Sequence, residues 1–429
     1  MDLKTLYQES EYEKICSFWK EHQKEADKSP LPEWDYVYTM NSFYKLKKYT
    51  ECLDLYREFH KAYPQSELID DKMGWSVYHV CLKNHDFKKD DNGLYLKQVD
   101  YILRHCRQKK YSPVPMVVRH AVNAILNGNL GSPIDFQRAH DYLKKLNPEK
   151  LSCAERLVSL KNGENHKVAS EQEKWYTLMC KVLLKLNQHE KCISCCEQAF
   201  SHIYHFHNNN DFWLRRLEIR AQLHLGRIAD AKDNLNLLLM NSFHPWTLYE
   251  LGFQVAAAEN NQESALKYIG SCALTDSKHE MRVKFYEQSA DFLYQHGYER
   301  IAMLQEHLVD LIRQKKEWKT QVHHHQWQVS DEIVEFDENA TMEELKTFWK
   351  EQRDKGKVFQ EGTVKTILPP GRSGFISGQT GKDYYFSFSD VNGDRRQIKE
   401  GTHVRFTLMK KMDHKRNQPS DNAVEITII

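Results

Sequence analysis

The stretch Gly362–Val391, with the sequence GTVKTILPPGRSGFISGQTGKDYYFSFSDV, has the residue pattern of β-strands. Apolar and polar residues alternate along it, and the alternation stops at the Pro-Pro-Gly turn that begins at Pro369 and again between Gly378 and Gly381. Alternation with a period of two, bounded by Gly and Pro, is typical of short strands joined by tight turns. Together with two similar segments downstream, it predicts five strands, at Thr363–Leu368, Arg372–Gly378, Asp383–Phe388, His403–Met409 and Ala423–Ile428.

The residues before this stretch have the pattern of α-helices instead. From residue 1 to residue 314, Gly and Pro are sparse and apolar residues recur at spacings of three and four, as at Tyr56 and Phe59. Five short strands within about 70 residues favour a small closed barrel of the OB type. We therefore predict a mainly α protein, in which a helical array is followed by a five-stranded antiparallel β-barrel.

Charge is distributed unevenly along the chain. The 429 residues carry a formal net charge of +1, but residues 355–429 hold 13 Lys and Arg against 8 Asp and Glu, while the rest of the chain holds 48 against 52. The strand-rich part is therefore the basic part, as a module that binds phosphate groups requires.

The composition favours a cytoplasmic protein that does not cross a membrane. The sequence has no run of about 18 apolar residues, which a transmembrane helix needs. Its N-terminus, MDLKTLYQESEYEK, is charged and polar, unlike a signal peptide. The ten cysteines are irregularly spaced, which is typical of reduced thiols in the cytosol.

The helical region contains a repeated turn. Gly226 lies in a predicted turn, and Ala231 follows it five positions later, early in the next helix; Asn260 and Ala265 repeat this spacing 34 residues downstream. A small side chain at that point lets two helices approach closely, and each hairpin buries its remaining face by stacking on the next one. The same spacing recurs at Gly297 and Ala302, at Asn187 and Cys192, and at Lys47 and Cys52.

This pattern resembles the tetratricopeptide repeat (TPR) family, and Trp34–Ser66 is its best single match, including the Pro64 that ends the second helix. The resemblance implies an α-solenoid that holds a protein or peptide partner and has no catalytic role. Residues 67–170 are also helical by pattern but lie out of phase with the repeat. We expect the tryptophans of the array to pack mostly between helices, namely Trp34, Trp75, Trp175, Trp213 and Trp246.

Residues 315–356 have a different character, and we predict that they form a linker. Within it, Thr341 and Glu344 have the spacing of a capping box that opens a short amphipathic helix, Met342–Arg353. An apolar stripe on this helix favours docking over a free tether. The predicted domains are the helical repeats at 1–314, the linker at 315–356 and the barrel at 357–429.

The side-chain period of two sorts the second and third predicted strands into two faces. Ile376 and Phe386 lie on the core side, whereas Phe375 and Tyr385 share the outer face on adjacent strands. Two neighbouring aromatic rings on an outer face are a surface on which the bases of a single strand can stack.

The barrel segment resembles the cold-shock domain. In that family a G-x-V-K strand precedes K-G-F-G-F-I, then D-x-F-x-H-F-S, an E-G turn and a final A-x-x-I strand. This chain has the corresponding pieces in the same order, at Gly362-Thr-Val-Lys365, Gly374-Phe-Ile376, Asp383-Tyr-Tyr-Phe-Ser-Phe-Ser389, Glu400-Gly401 and Ala423-Val-Glu-Ile426.

The cold-shock resemblance implies binding of single-stranded RNA or DNA. It transfers the binding surface of the family to Lys365, Phe375, Tyr385 and Phe388. Nearby basic side chains would contact phosphates; they are Arg372, Lys382, Arg395, Arg396, Lys410, Lys411, Lys415 and Arg416.

Three positions of the family platform are different in this chain. Thr366, Ser373 and Ser387 stand where the family has an aromatic residue, a phenylalanine and a histidine. Each stacked base contributes about 1–3 kcal/mol. We therefore expect weaker binding, or binding of a shorter stretch, than in a standard member of the family.

We predict a non-enzymatic adaptor that binds single-stranded RNA or DNA through the barrel and a protein partner through the repeats, without a cofactor or a metal ion. One alternative is a protein-only scaffold whose barrel is a docking module, and another is an unrecognised catalytic site within residues 67–170. A zinc site is disfavoured, because two of its candidate ligands occupy core positions of a helix and no second CxxC motif is present. Those candidate ligands are Cys192, Cys195, Cys196, His202, His205 and His207.

Overall fold

The structure is a computed structural model, and it describes residues 2–24, 29–159, 163–241, 245–319, 337–392, 394–413 and 418–429. The chain divides into two compact units, Met1–Leu217 and Glu218–Ile429. The second unit contains the C-terminal helices as well as the strands. The three-part division at 1–314, 315–356 and 357–429 stays a prediction.

Most of the described chain is helical, as predicted. The α-helices are α1 (Leu3–Gln8), α2 (Tyr12–His22), α3 (Glu33–Lys45), α4 (Tyr49–Ala62), α5 (Asp70–Val77), α6 (Asn92–His105), α7 (Val114–Leu126), α8 (Phe136–Leu143), α9 (Glu171–Lys185), α10 (His189–His202), α11 (Asn210–His224), α12 (Ile228–Asn241), α13 (Pro245–Ala258), α14 (Gln262–Ala273), α15 (Val283–Gln295), α16 (Glu299–Lys315) and α17 (Glu338–Asp354).

The predicted hairpin turns are confirmed in five helix pairs: α3–α4, α9–α10, α11–α12, α13–α14 and α15–α16. The turn residue of each pair has a positive φ, from 56° at Asn187 and Asn260 to 82° at Gly297. A residue in this left-handed region ends a helix, which is why Gly or Asn occupies most of these positions. The small residue five positions later is completely buried in every pair, at Cys52, Cys192, Ala231, Ala265 and Ala302.

Residues 67–170 contain α5–α8, but the helical prediction is wrong at their C-terminal end. There Arg156–Ser159 (β1) and Asn165–Val168 (β2) form an antiparallel hairpin, in which Leu157 lies opposite Lys167. Each strand has four residues, and a window this short does not separate the helical period from the strand period. A π-helical turn, Tyr78–Leu82, also follows α5.

The tryptophans of the array are less buried than expected. Trp34 is 57% exposed and Trp213 is 38% exposed. Trp75, Trp175 and Trp246 are half-buried. Their spacing places them on helices, but the neighbouring helices do not cover them completely.

Helix α17 is the predicted amphipathic helix, and it docks on helices of the second unit. Its stripe is buried: Leu345 and Trp349 are completely covered and Phe348 is 8% exposed. The indole of Trp349 stacks on Tyr286 of α15, with ring centroids 5.8 Å apart, and its Nε1 donates to Gln305 Oε1 of α16 at 3.3 Å. The prediction of a docked helix is confirmed.

The start of α17 differs from the predicted capping box. Asp337 is the N-cap, and its carboxylate accepts hydrogen bonds from the backbone N–H groups of Asn339 and Ala340. The helix therefore begins at Glu338, and Thr341 lies inside it, 4% exposed. An Asp is as good an N-cap as a Thr, and the earlier cap adds a turn to the helix.

The five predicted C-terminal strands are present. They are β3 (Gln360–Leu368), β4 (Ser373–Gly378), β5 (Asp383–Ser387), β6 (His403–Asp413) and β7 (Gln418–Ile428), and they close into a barrel in the order β3-β4-β5-β7-β6. Four pairings are antiparallel, but β5 and β7 pair in parallel. The prediction of a wholly antiparallel barrel is wrong, because five strands around a closed ring cannot all alternate in direction.

The barrel has its own apolar core, to which all five strands contribute. Val364, Ile376, Phe386, Val404 and Ile426 are each at most 1% exposed. These positions alternate with outward-facing ones, so the predicted sorting of faces is confirmed for β4 and β5.

Candidate nucleic-acid interface

The outer faces of β4 and β5 present two adjacent aromatic rings. Phe375 and Tyr385 lie directly opposite each other in the strand register, and their ring centroids are 5.7 Å apart at an interplanar angle of 74°. Tyr385 is 39% exposed and Phe375 is half-buried. The pair leaves aromatic surface in contact with solvent, where a base can stack.

A glycine within β4, Gly374, allows close packing at this point. A Cβ on Gly374 would meet the backbone carbonyl of Thr366 on β3 and the ring of Phe386 on β5. The absence of a side chain lets Phe386 fill the barrel core beneath the strand pair.

Phe388 lies apart from this pair. It follows β5 in a 3₁₀ turn, Phe388–Asp390, and its ring centroid is 5.5 Å from that of Phe386. Phe388 is half-buried against the barrel core. The surface that the structure brings together is therefore smaller than the predicted one, with two rings rather than three.

Four of the predicted basic side chains have carboxylate partners within the barrel, namely Lys365, Lys382, Lys411 and Arg396. Lys365 Nζ lies 2.5 Å from Asp383 Oδ2, and Lys382 Nζ lies 3.2 Å from Asp421 Oδ2. The hydrogen bond from Lys365 is the largest influence on Asp383 and lowers the pKa of that carboxyl group. The third pair is Lys411 with Asp390, at 2.9 Å.

Three other predicted cations, Arg372, Arg395 and Lys410, are exposed and available to a ligand. Among the described residues, Arg395 has no carboxylate at salt-bridge distance. Arg372 precedes β4 and Lys410 lies on β6, and both are exposed. Within the described ranges, neither has a carboxylate at salt-bridge distance. Arg396 is paired with Asp394 at 2.9 Å. Lys415 and Arg416 lie outside the described residues.

The barrel is attached to α17 by a shared cation. Lys357 Nζ lies 2.5 Å from Glu425 Oε2 on β7 and 3.1 Å from Asp354 Oδ1 at the end of α17, and its side chain is 10% exposed. Burial alone would raise the pKa of Asp354, but hydrogen bonds from Arg353 and Lys357 outweigh burial and lower it. The attachment places strands β6 and β7 beside the helices of the second unit.

A crevice between these helices and the barrel was not predicted from the sequence. Tyr249 of α13 and Met409 of β6 both line it. Burial raises the pKa of Tyr249 to about 12, with a further contribution from the carboxylates of Glu425 and Asp390. The alternating pattern of β6 marks Met409 as a side chain of one face, but only the folded chain places a helix opposite it.

The cysteines considered for a zinc site lie in the helical core. Cys192 and Cys196 are completely buried, and their thiols approach the backbone carbonyls of Cys180 and Leu214. His207 is hydrogen-bonded to the buried Glu173. Among the described residues, no three His, Cys, Asp or Glu side chains are grouped so that they could hold a metal ion.

Two solved structures are distantly similar to this chain. No family model matches the chain, and neither does any curated protein. PilF from Pseudomonas aeruginosa is 10% identical, over 55% of this chain and 88% of PilF, with a TM-score of 0.28. A tetratricopeptide repeat protein from Parabacteroides merdae is 11% identical, over 65% of this chain and 96% of that protein, with a TM-score of 0.26. Likenesses at this level assign neither fold nor function.

The lengths and hydropathies of the helices bear on whether one of them could span a membrane. In the part of the chain that the structure describes, no helix is both long enough and apolar enough to cross a bilayer.

Proposed function

We propose that this protein is a non-enzymatic adaptor, in which the barrel binds single-stranded RNA or DNA and the helical hairpins bind a protein. The observation that carries the proposal is the exposed pair formed by Phe375 and Tyr385. Solvent-exposed aromatic rings in register on adjacent strands offer base stacking of about 1–3 kcal/mol per base. The net positive charge of residues 355–429 supplies attraction to phosphates.

The paired lysines are compatible with this function but limit its strength. The Lys365 side chain is 56% exposed and that of Asp383 is 36% exposed. An ion pair this exposed contributes little to stability, so a phosphate can replace the carboxylate at small cost. Each time a phosphate replaces a carboxylate, the existing ion pair between that lysine and its carboxylate is lost. We therefore expect a modest affinity for nucleic acid.

The protein-binding half of the proposal is supported by aromatic residues near the N-terminus. Tyr38 of α3 lies between Tyr7 of α1 and Trp34, with ring centroids at 5.7 Å and 6.3 Å. Trp34 is 57% exposed. Exposed Trp and Tyr side chains in a cluster are the residue types that contribute most to protein interfaces.

Binding to fluorescent single-stranded oligonucleotides tests the nucleic-acid half. We expect the full chain to bind with an affinity that falls as salt rises. The F375A/Y385A double variant should lower the affinity by about 1–3 kcal/mol per ring, or roughly 5- to 150-fold for each. The matched control is Phe359→Ala, which removes a half-buried ring that lies against Arg405, 4.6 Å from its guanidinium.

The outcomes separate the adaptor from the protein-only scaffold. Equal affinities for the wild type and F375A/Y385A, or no binding at moderate salt, would favour a barrel that serves only as a docking module. Loss of affinity in F375A/Y385A but not in the Phe359→Ala control would support the proposal. Circular dichroism of each variant checks that the fold is retained.

A photo-crosslinking amino acid tests the protein half. Placed at Trp34, it should form a defined adduct with one protein in the cells that make this chain. The same amino acid at Tyr111, which is 81% exposed in the same unit, is the control. The protein half would be abandoned if both positions gave the same weak and diffuse adducts.

A further inference from the structure

The crevice between the barrel and the helices of the second unit contains two adjoining cavities of about 660 Å³ and 430 Å³. They share lining residues from both sides, including Leu239 and Tyr249 from the helices and Met409 and Val424 from the barrel. Cavities of this size are typical of ligand sites. The crevice is therefore large enough to hold part of a ligand.

The strand register connects the exposed aromatic pair to this crevice. Phe375 lies opposite Tyr385, Tyr385 opposite Asn422 on β7, and Asn422 opposite Met409 on β6. Residues in register on neighbouring strands point to the same face of a sheet. These four side chains thus form one row on the same side of the sheet, in which Phe375, Tyr385 and Met409 reach solvent and Asn422 is 7% exposed. Three strand spacings, or about 14 Å, separate the ends of the row.

The larger cavity repeats the chemistry of the aromatic pair. Tyr249 and Tyr268 both line it, with ring centroids 6.5 Å apart. Lys267 of α14 and Lys410 of β6 also line it, and both are exposed. Within the described ranges, neither lysine has a carboxylate at salt-bridge distance. The cavity therefore offers two aromatic rings and two cations, which are what a single strand requires.

Glu425, the carboxylate that lines the larger cavity, repels an anionic ligand only weakly. Glu425 is already bound by Lys357, at 2.5 Å and 2.7 Å from its two oxygens. With that pair compensated, Lys267 and Lys410 leave the larger cavity with a net positive charge. The smaller cavity is lined by as many carboxylates as cations, so it is the less favourable of the two for phosphate. The carboxylates are Asp276, Asp390 and Glu425, and the cations are Arg353, Arg395 and Lys411.

We propose that a bound single-stranded polynucleotide continues from Phe375 and Tyr385 across Asn422 and Met409 into the larger cavity. There Lys267 and Lys410 contact its phosphates, and a base packs against Tyr268. This inference rests on the proposed function of the barrel and extends it, because it makes α14 part of the nucleic-acid site. The strand is consequently longer than the one that the barrel alone would cover.

The test measures affinity as a function of oligonucleotide length with the full chain. Homopolymers of about 4, 8 and 12 nucleotides span the sizes that such barrels occupy. We expect the wild type to gain affinity with length. K267Q/K410Q should lower the affinity for the longest oligonucleotide about tenfold, whereas K267Q alone, which changes only α14, should leave the affinity for the shortest within about twofold. Each length is tested as RNA and as DNA, and the two affinities show which nucleic acid the site prefers.

The salt dependence gives a second and independent readout. Removing two phosphate contacts to a single strand should reduce the slope of log K against log salt by about 1.4 for the longest oligonucleotide. The matched control is Lys284→Gln, which removes an exposed lysine of α15 that lines neither cavity. It should leave the slope nearly unchanged at every length.

The possible failures are distinguishable. No binding of any oligonucleotide by the wild type would overturn the proposed function itself. If F375A/Y385A weakens binding while K267Q/K410Q behaves like Lys284→Gln at every length, the barrel binds nucleic acid but the crevice does not. Crosslinking of a 4-thiouridine oligonucleotide to Tyr268 would support the crevice directly, and crosslinks confined to the barrel would contradict it.

Discussion

Helix α17 and the strand pair β4–β5 both carry aromatic residues at regular spacing, but the fold treats the two sets differently. Trp349 of α17 is completely buried, whereas Tyr385 of β5 is 39% exposed. The helix is covered by α14, α15 and α16, which bury its stripe. The outer face of the strands retains solvent-exposed aromatic surface. The spacing of aromatic residues in the sequence therefore identifies which side chains share a face of a helix or strand. Whether that face is buried depends on whether another helix or strand packs against it.

The strongest test of this comparison is the substitution Trp349→Ala. It removes a fully buried indole that stacks on Tyr286, so we expect a loss of about 3–5 kcal/mol in the free energy of unfolding. Chemical denaturation followed by circular dichroism measures it. Trp34→Ala is the control, because Trp34 is 57% exposed and should change stability by less than about 0.5 kcal/mol. Similar losses at both positions would contradict the comparison.

A smaller effect is expected at the contact that lets α17 dock. A Cβ on Gly270 would meet the backbone of Trp349 and Arg353. We expect Gly270→Ala to destabilise the protein by about 1–3 kcal/mol, because a backbone contact can yield only if α17 moves. Helix propensity alone predicts the opposite, a gain of about 1 kcal/mol. A measured gain would mean that α17 is not held against α14.

The smallest effect concerns the attachment between the two regions. Lys357→Met leaves Asp354 and Glu425 without their shared cation, and we expect a loss of about 1–2 kcal/mol at neutral pH. The pKa of Asp354 is lowered in the folded state, so its contribution is present above about pH 4 and is lost as the pH falls through the lowered value.

Unfolding experiments at pH 7 and pH 3 check this pH dependence. The stability difference between the wild type and Lys357→Met should shrink at the lower pH, because pH 3 lies below the ordinary pKa of Asp and part of the Asp354 contribution to stability is lost there. Lys284→Gln serves as a control, because Lys284 has no carboxylate at salt-bridge distance among the residues that the structure describes. A difference that stays constant between the two values would rule out the ion pair as its cause.

Much of the fold followed from local patterns. The positions of Asn187 and Gly297 predicted turns between helices, since a helix ends most easily at Asn or Gly. Ala231 and Ala265 predicted close helix contacts because a small side chain permits them. The face of Phe375 and Tyr385 followed from the period of two, and so did the core position of Ile376. Each of these features depends on neighbours along the chain.

Other features could not be predicted because they depend on distant residues. The parallel pairing of β5 with β7 results from closing an odd number of strands. The place of Met409 in the lining of the crevice results from the packing of the barrel beside the helices of the second unit. The ion pairs of Lys365, Lys382 and Lys411 depend on which carboxylate each strand register brings near. None of these has a signal within a short window of sequence.

The sequence by itself determined the helical hairpins, the five strands and the outward face that Phe375 and Tyr385 share. Periodicity and turn residues are local properties, and they require no knowledge of what a segment packs against. The tertiary structure alone decided which faces are covered, which cations stay available and that a crevice adjoins the row from Phe375 to Met409. These depend on contacts between residues far apart in the chain, and such contacts exist only once the barrel and the helices have packed.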